Sequence, residues 1–178
     1  ANYLGMVRNI DTNVGRLIRF LNEEGLRKNT LVIFLTDNGS THGPRYFNAG
    51  MRGQKTELWD GGHRVPCFIS WPQGELASPQ DIDGLTQVQD LLPTLVDLCE
   101  LETKAKFSGT SLAPILRGKA RVPEDRTLII NYSRMPNFVN YPTPFAQSIM
   151  TRDQAVVLWK RWRLLEDREL YSLETDPL

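Results

Sequence analysis

Asp37 and Asn38 stand directly after one of the most apolar runs of the sequence, Thr30–Thr36 (TLVIFLT). Side by side they offer carboxylate and amide oxygens, which suit a hard cation such as Ca²⁺ or Mg²⁺. The same Asp-Asn-Gly is also ordinary turn chemistry, because these residues favour turns and positive φ. Further on, "GMRGQK" sets Arg52 and Lys55 in glycine-rich backbone. A lysine there, beside a cation, makes an anion-binding group; on a plain loop it is a solvated charge. The glycine spacing is not that of a G-x-x-x-x-G-K-[ST] phosphate loop. His42 and His63, the only two histidines, belong to no His/His or Cys/His cluster, which argues against zinc. Either can serve as a proton donor or as a structural group. Arg64 reads as a structural partner for Asp60 or Glu57. No G-x-S-x-G elbow is present. Local chemistry therefore gives an anion- and metal-competent loop without a nucleophile.

The elements that must carry these residues follow α/β grammar. Tyr3, Met6, Val7, Ile10, Val14, Leu17, Ile18 and Leu21 recur at three- and four-residue steps, the stripe of an amphipathic helix. Gly25 suits the left-handed position past its end. TLVIFLT and VPCFISW (Val65–Trp71) read as strands buried on both faces, as in a parallel sheet covered by helices. Asp37 and Asn38 then fall at a strand's carboxyl end, where open α/β sheets gather ligands. Thr86–Leu98 reads as a helix with Val88, Leu91, Leu92, Leu95 and Val96 inward, and with a kink or an offset start at Pro93. A short helical turn over Thr110–Arg117 closes at Gly118. After Pro123, strand-like pieces at Thr127–Tyr132, Ser148–Thr151, Ala155–Trp159, Arg161–Leu165 and Leu170–Ser172 predict a small antiparallel sheet.

The chain has 178 residues, 21 basic against 21 acidic, so net charge points neither to nucleic acid nor to an anionic membrane. No apolar stretch is long enough to span a bilayer. Cys67 and Cys99 match no zinc or redox spacing, and their apolar neighbours predict buried free thiols.

Three segments together resemble the C-terminal half of a sulfatase of the arylsulfatase type, in the alkaline-phosphatase-like superfamily. They are "NIDTNVGRLIRFLNEEGLRKNTLVIFLTDNG", "NAGMRGQKTELWDGGHRVPCFISWP" and "WRLLEDRELYSLETDP". The resemblance implies an alkaline-phosphatase-like sandwich, with a mostly parallel sheet flanked by helices over residues 1–122. Residues 123–178 would form a small, incomplete antiparallel subdomain. Asp37 and Asn38 would be two ligands of a divalent cation, Ca²⁺ or Mg²⁺, and Lys55 would contact the sulfate. His63 and Arg52 lie near the expected pocket, His63 as a catalytic candidate and Arg52 as a substrate-binding one. Asp60-Gly61-Gly62 matches the family's Glu-Gly-Gly with a shortened capping carboxylate.

The resemblance also implies a formylglycine made from a Cys- or Ser-x-Pro-x-Arg motif. Cys67, followed by Phe-Ile-Ser, and Cys99, followed by Glu-Leu-Glu, do not match it. The chain is therefore expected to be a fragment, inactive alone, whose N-terminal half carries the nucleophile and the remaining ligands. The loop from Gly39 to Gly53 would then be held largely by cation, substrate and that missing half. The implied substrate is a sulfated small molecule or glycan, and Arg134, Asn137 and Tyr141 are expected to reach its pocket mouth. The implied setting is periplasmic, secreted or lysosomal-like. The alternatives are a phosphomonoester or phosphonate hydrolase of the same superfamily and a non-catalytic carbohydrate-binding module using the aromatic-rich tail.

Overall fold

Helix α1 (Asn2–Glu23) carries the predicted stripe and closes at Gly25, which takes φ +68°. The computed structural model describes residues 2–131 and 152–176; Arg134, Asn137, Tyr141 and the predicted Ser148–Thr151 piece lie outside them. The chain divides into two compact units, Ala1–Leu35 with Pro66–Pro123, and Thr36–Val65 with Glu124–Leu178.

In the first unit, β1 (Val32–Leu35) pairs with β2 (Cys67–Ser70), and the pairing is antiparallel, from Val32 opposite Ser70 to Leu35 opposite Cys67. This corrects the expected parallel sheet: among the described residues every strand pairing is antiparallel. A parallel partner needs a crossover of about a dozen residues or more, usually a helix, and the segment between β1 and β2 holds only one-turn helices. Nor are the two strands buried on both faces. Phe68 is 66% exposed, and the α1 stripe is likewise open, with Ile10 at 53% and only Leu21 buried. Cys67 and Cys99 are free but exposed, against the expected buried thiols. Partial burial still pushes the Cys67 thiol pKa up.

The core of this unit lies instead around α3 (Leu91–Leu98) and α4 (Ala113–Leu116), where Leu98, Leu112, Ala113 and Ile115 are buried. The α-helical part starts late, after a 3₁₀ turn at Val88–Asp90, which puts Pro93 in its first turn and keeps the proline harmless. The offset rotates the inward face to Pro93, Thr94 and Leu98, and leaves Val88 and Leu92 exposed rather than inward. Asp90, fully buried, accepts backbone N–H groups from Gln87 (2.8 Å) and Thr110 (2.9 Å), which satisfies its carboxylate.

The second unit contains the predicted small antiparallel sheet, in the order β3 (Thr127–Asn131), β4 (Ala155–Trp159), β5 (Trp162–Leu165) and β6 (Glu169–Ser172). Its central strands β4 and β5 alternate as a sheet with one buried face should. Leu128, Val156, Leu158, Leu165 and Tyr171 are buried, and Arg163 takes a position on β5 opposite both Leu158 and Tyr171. The segment Thr36–Val65, with the candidate site residues, belongs to this same unit.

Candidate active site

Two residues past β1, the Asp37 carboxylate accepts a 2.6 Å hydrogen bond from the Asn38 amide. Asp37 is exposed and Asn38 half-buried. The next residue begins a framework made of backbone. Gly39 N–H donates to the Gly62 carbonyl (2.9 Å), and Lys55 N–H donates to the Ser40 carbonyl (3.4 Å). Segments 37–40, 52–55 and 60–62 are thereby brought together, uniting the two predicted metal residues and the predicted sulfate lysine in one loop assembly. The Lys55 side chain is exposed and has no ion pair among the described residues.

The glycines are required by how closely these segments approach. A Cβ on Gly61 would run into the Gly53 carbonyl, and one on Gly62 into the Glu57 carbonyl. Around them the loop is stitched by its own groups. The Asn48 side-chain amide donates to the Met51 and Gly53 carbonyls, and the Ser40 hydroxyl accepts the N–H of Gly43 (2.8 Å). The segment expected to depend on cation and substrate thus has internal ties as well.

Helix α2 (Asp60–His63) is a single turn. Its first carboxylate does not cap it, contrary to the expectation for Asp60, and does not meet Arg64. Asp60 Oδ1 instead accepts from Arg163 Nε at 3.0 Å, with both side chains 5% exposed. His63 lies beside this pair: Nε2 is 3.1 Å from the Leu58 carbonyl oxygen, to which it donates, and 4.0 Å from Asp60 Oδ1. Burial lowers the His63 pKa; the Asp60 charge and the Leu58 hydrogen bond oppose that, and Arg163 reinforces it. Tyr171 is pushed up to about 12, by burial first and then by the Asp60 charge. His42 is exposed and contributes only backbone groups, its N–H to the Ser40 hydroxyl and its carbonyl to the Arg45 N–H.

Arg52 stacks its guanidinium 3.4 Å from the centre of a Trp59 ring and lies 3.8 Å from Glu169 Oε1. Trp59 in turn packs on Tyr171 at 5.2 Å between ring centres. Loop and sheet are clasped twice, by the buried Asp60–Arg163 pair and by this more exposed stack. Sequence reasoning missed Arg163, Trp59 and Tyr171. One signal was available: in the alternation Val156, Leu158, Arg163, Leu165, an arginine occupies an inward register position.

The oxygen chemistry of Asp37 and Asn38 suits a hard cation, but two residues do not complete the six to eight oxygens that Ca²⁺ takes. Among the described residues no three His, Cys, Asp or Glu side chains cluster to make up a metal site.

The Sulfatase family model matches residues 1–101, and a second model, "N-sulphoglucosamine sulphohydrolase, C-terminal", matches residues 53–178. A steryl-sulfatase from Mus musculus is 37% identical over 136 residues, covering 71% of this chain and 22% of the relative. Among solved structures, Ps i-CgsB bound to k-i-k-neocarrahexaose superposes with a TM-score of 0.78 at 23% identity, covering 98% of this chain and 36% of that one. The phosphonate monoester hydrolase SpPMH from Silicibacter pomeroyi gives 0.70 at 23% identity, covering 98% and 35%. At these identities the structures show likeness of fold. The chain spans between about a fifth and about a third of the length of these relatives.

Proposed function

From the premise that this chain belongs to the sulfatase family, we propose that the protein carrying it hydrolyses a sulfate ester, R–O–SO₃⁻, to an alcohol and sulfate. The observation that supports this most is the joining of segments 37–40, 52–55 and 60–62 through Gly39–Gly62, Ser40–Lys55 and Gly61–Arg52. In this reading Asp37 and Asn38 supply two of the oxygens that hold a divalent cation, Ca²⁺ or Mg²⁺. Such a cation offsets charge on the sulfuryl oxygens. Lys55 meets the same oxygens as a point charge, which stabilises charge developing in the transition state. Arg52 adds positive field to the same loop while stacked on Trp59. His63, kept neutral by burial, can accept or pass a proton close to the site. This sequence has no Cys- or Ser-x-Pro-x-Arg, so the nucleophile and the remaining ligands come from elsewhere in the protein. The substrate class is a sulfated small molecule or glycan, in line with the steryl-sulfatase relative and with the Ps i-CgsB structure in complex with k-i-k-neocarrahexaose.

The test uses the full-length protein on an aryl sulfate, with and without added Ca²⁺. Lys55→Ala is expected to lower kcat by about 10²–10³-fold, the effect of removing one preorganised charge donor. Asp37→Ala should raise the Ca²⁺ concentration needed for activity. The isolated 178-residue chain should show no turnover. Wild-type activity indifferent to both substitutions refutes the assignment. The fold likeness to a phosphonate monoester hydrolase puts a second substrate in the same assay: preference for an aryl phosphonate over the sulfate would move the reading to that chemistry.

A further inference from the structure

We propose that Arg163, far from the loop in sequence, is a positioning residue that sets where Lys55, Asp37 and Asn38 stand, acting through Asp60. The inference rests on the sulfate-ester reading of those three residues. A buried arginine on a sheet face otherwise lined by Leu158, Leu165 and Tyr171 is costly unless it is paired and hydrogen-bonded. Here Nη1 donates to the carbonyls of Lys160 (3.2 Å) and Trp162 (3.0 Å), and Nε donates to Asp60 (3.0 Å). The first two bonds fix the guanidinium to the β4–β5 turn. The third locates the Asp60 carboxylate relative to the sheet.

From Asp60 the ties run outward through backbone. Gly61 N–H holds the Arg52 carbonyl at 2.8 Å, three residues before Lys55. The Gly62 carbonyl holds Gly39 N–H at 2.9 Å, and Gly39 is peptide-bonded to Asn38. Ser40, next along, holds Lys55 N–H. The glycines leave no room for these segments to slide, since a side chain at either position would strike backbone. Shifting Asp60 therefore shifts the cation ligands and the lysine together. The Arg52–Glu169 pair, with both side chains about half exposed, is too solvated to replace this control. Asp60 and Arg163 are themselves too buried to meet a substrate. Their effect is on geometry alone.

The decisive variant is D60N/R163M in the full-length protein, because removing both charges leaves neither one buried without a partner. Two quantities are read beside the unfolding midpoint: kcat and KM on an aryl sulfate, and hydrogen exchange at the amides of Gly39, Lys55, Gly61 and Gly62. The expected result is a kcat about 10²-fold lower, the effect of a misplacement of about 1 Å, with KM moving far less. Those four amides should exchange faster than in wild type while the β4–β5 amides do not. A variant with wild-type midpoint, kcat and exchange overturns the proposal and leaves the sulfatase reading intact. Faster exchange in a protein whose wild type cleaves no sulfate ester upholds the positioning and refutes the sulfatase reading. Should D60N/R163M fail to fold, the same readouts on R163K decide the matter, since lysine keeps the charge and lacks the Nε donor.

Discussion

His63 has the most legible chemistry of any single side chain in the second unit. Its ring donates to the Leu58 carbonyl, and the charged groups facing it are Asp60 and Arg163. Because burial lowers its pKa, the unfolded chain takes up a proton before the folded one does as pH falls. The stability held by the neutral ring is therefore complete above about 6.5, the unfolded value, and is lost as pH drops through the window below it toward the lowered folded value. Urea midpoints of the full-length protein at about pH 7.5 and 5.5 measure this. The fall on acidification should be smaller in His63→Gln than in wild type, and equal falls would show that the ring titrates alike in both states. The same neutrality bears on the catalytic role proposed for His63. A ring held neutral at pH 7 starts as a proton acceptor rather than a donor.

At the scale of elements, the loop is governed by contacts between backbones, and α2 is where they converge. Gly62→Ala would force a methyl group against the Glu57 carbonyl. Overpacking of this kind costs about 1–3 kcal/mol, and it should appear as a lowered unfolding midpoint together with weaker activity. A fully stable, fully active Gly62→Ala protein would show that the loop gives way freely. Much of this level was legible in sequence. The 3.6-residue period of α1, the αL glycines Gly25 and Gly118, and the hairpin spacing of β4, β5 and β6 are local signals that local structure obeys. Strand direction was not legible, because an apolar run such as VIFL reads the same in a parallel or an antiparallel pair. The inward face of α3 was misplaced because a 3₁₀ start at Val88–Asp90 shifts the helical phase from Leu91 onward. The partner of Asp60 was hidden for a different reason: Arg64 is near in sequence and Arg163 is near in space. Asp37, Asn38 and Lys55 stood out by residue type, but only the backbone bonds among segments 37–40, 52–55 and 60–62 make them neighbours.

For the molecule as a whole, the first unit leaves wide apolar surface uncovered. Leu4, Met6, Ile10, Leu17 and Phe20 of α1 are all at least half exposed, as is Phe68 of β2. Where such residues join into one patch they mark an interaction site or an aggregation liability. The isolated 178-residue chain should accordingly bind a hydrophobic dye and elute as oligomers, whereas the full-length protein should do neither. A monomeric, dye-free chain would show that these faces find cover within it. The second unit has a different dependence, one of time rather than surface. Asp60 and Arg163 are 103 positions apart, and synthesis adds about 5–20 residues per second. The Asp60 carboxylate thus leaves the ribosome roughly 5–20 s before the guanidinium that will fix it. Until then the loop bearing Lys55 has no anchor in the sheet. A chain ended early by a premature stop codon anywhere between Lys55 and Arg163 would keep Asp37, Asn38 and Lys55 and still lack the means to hold them in place.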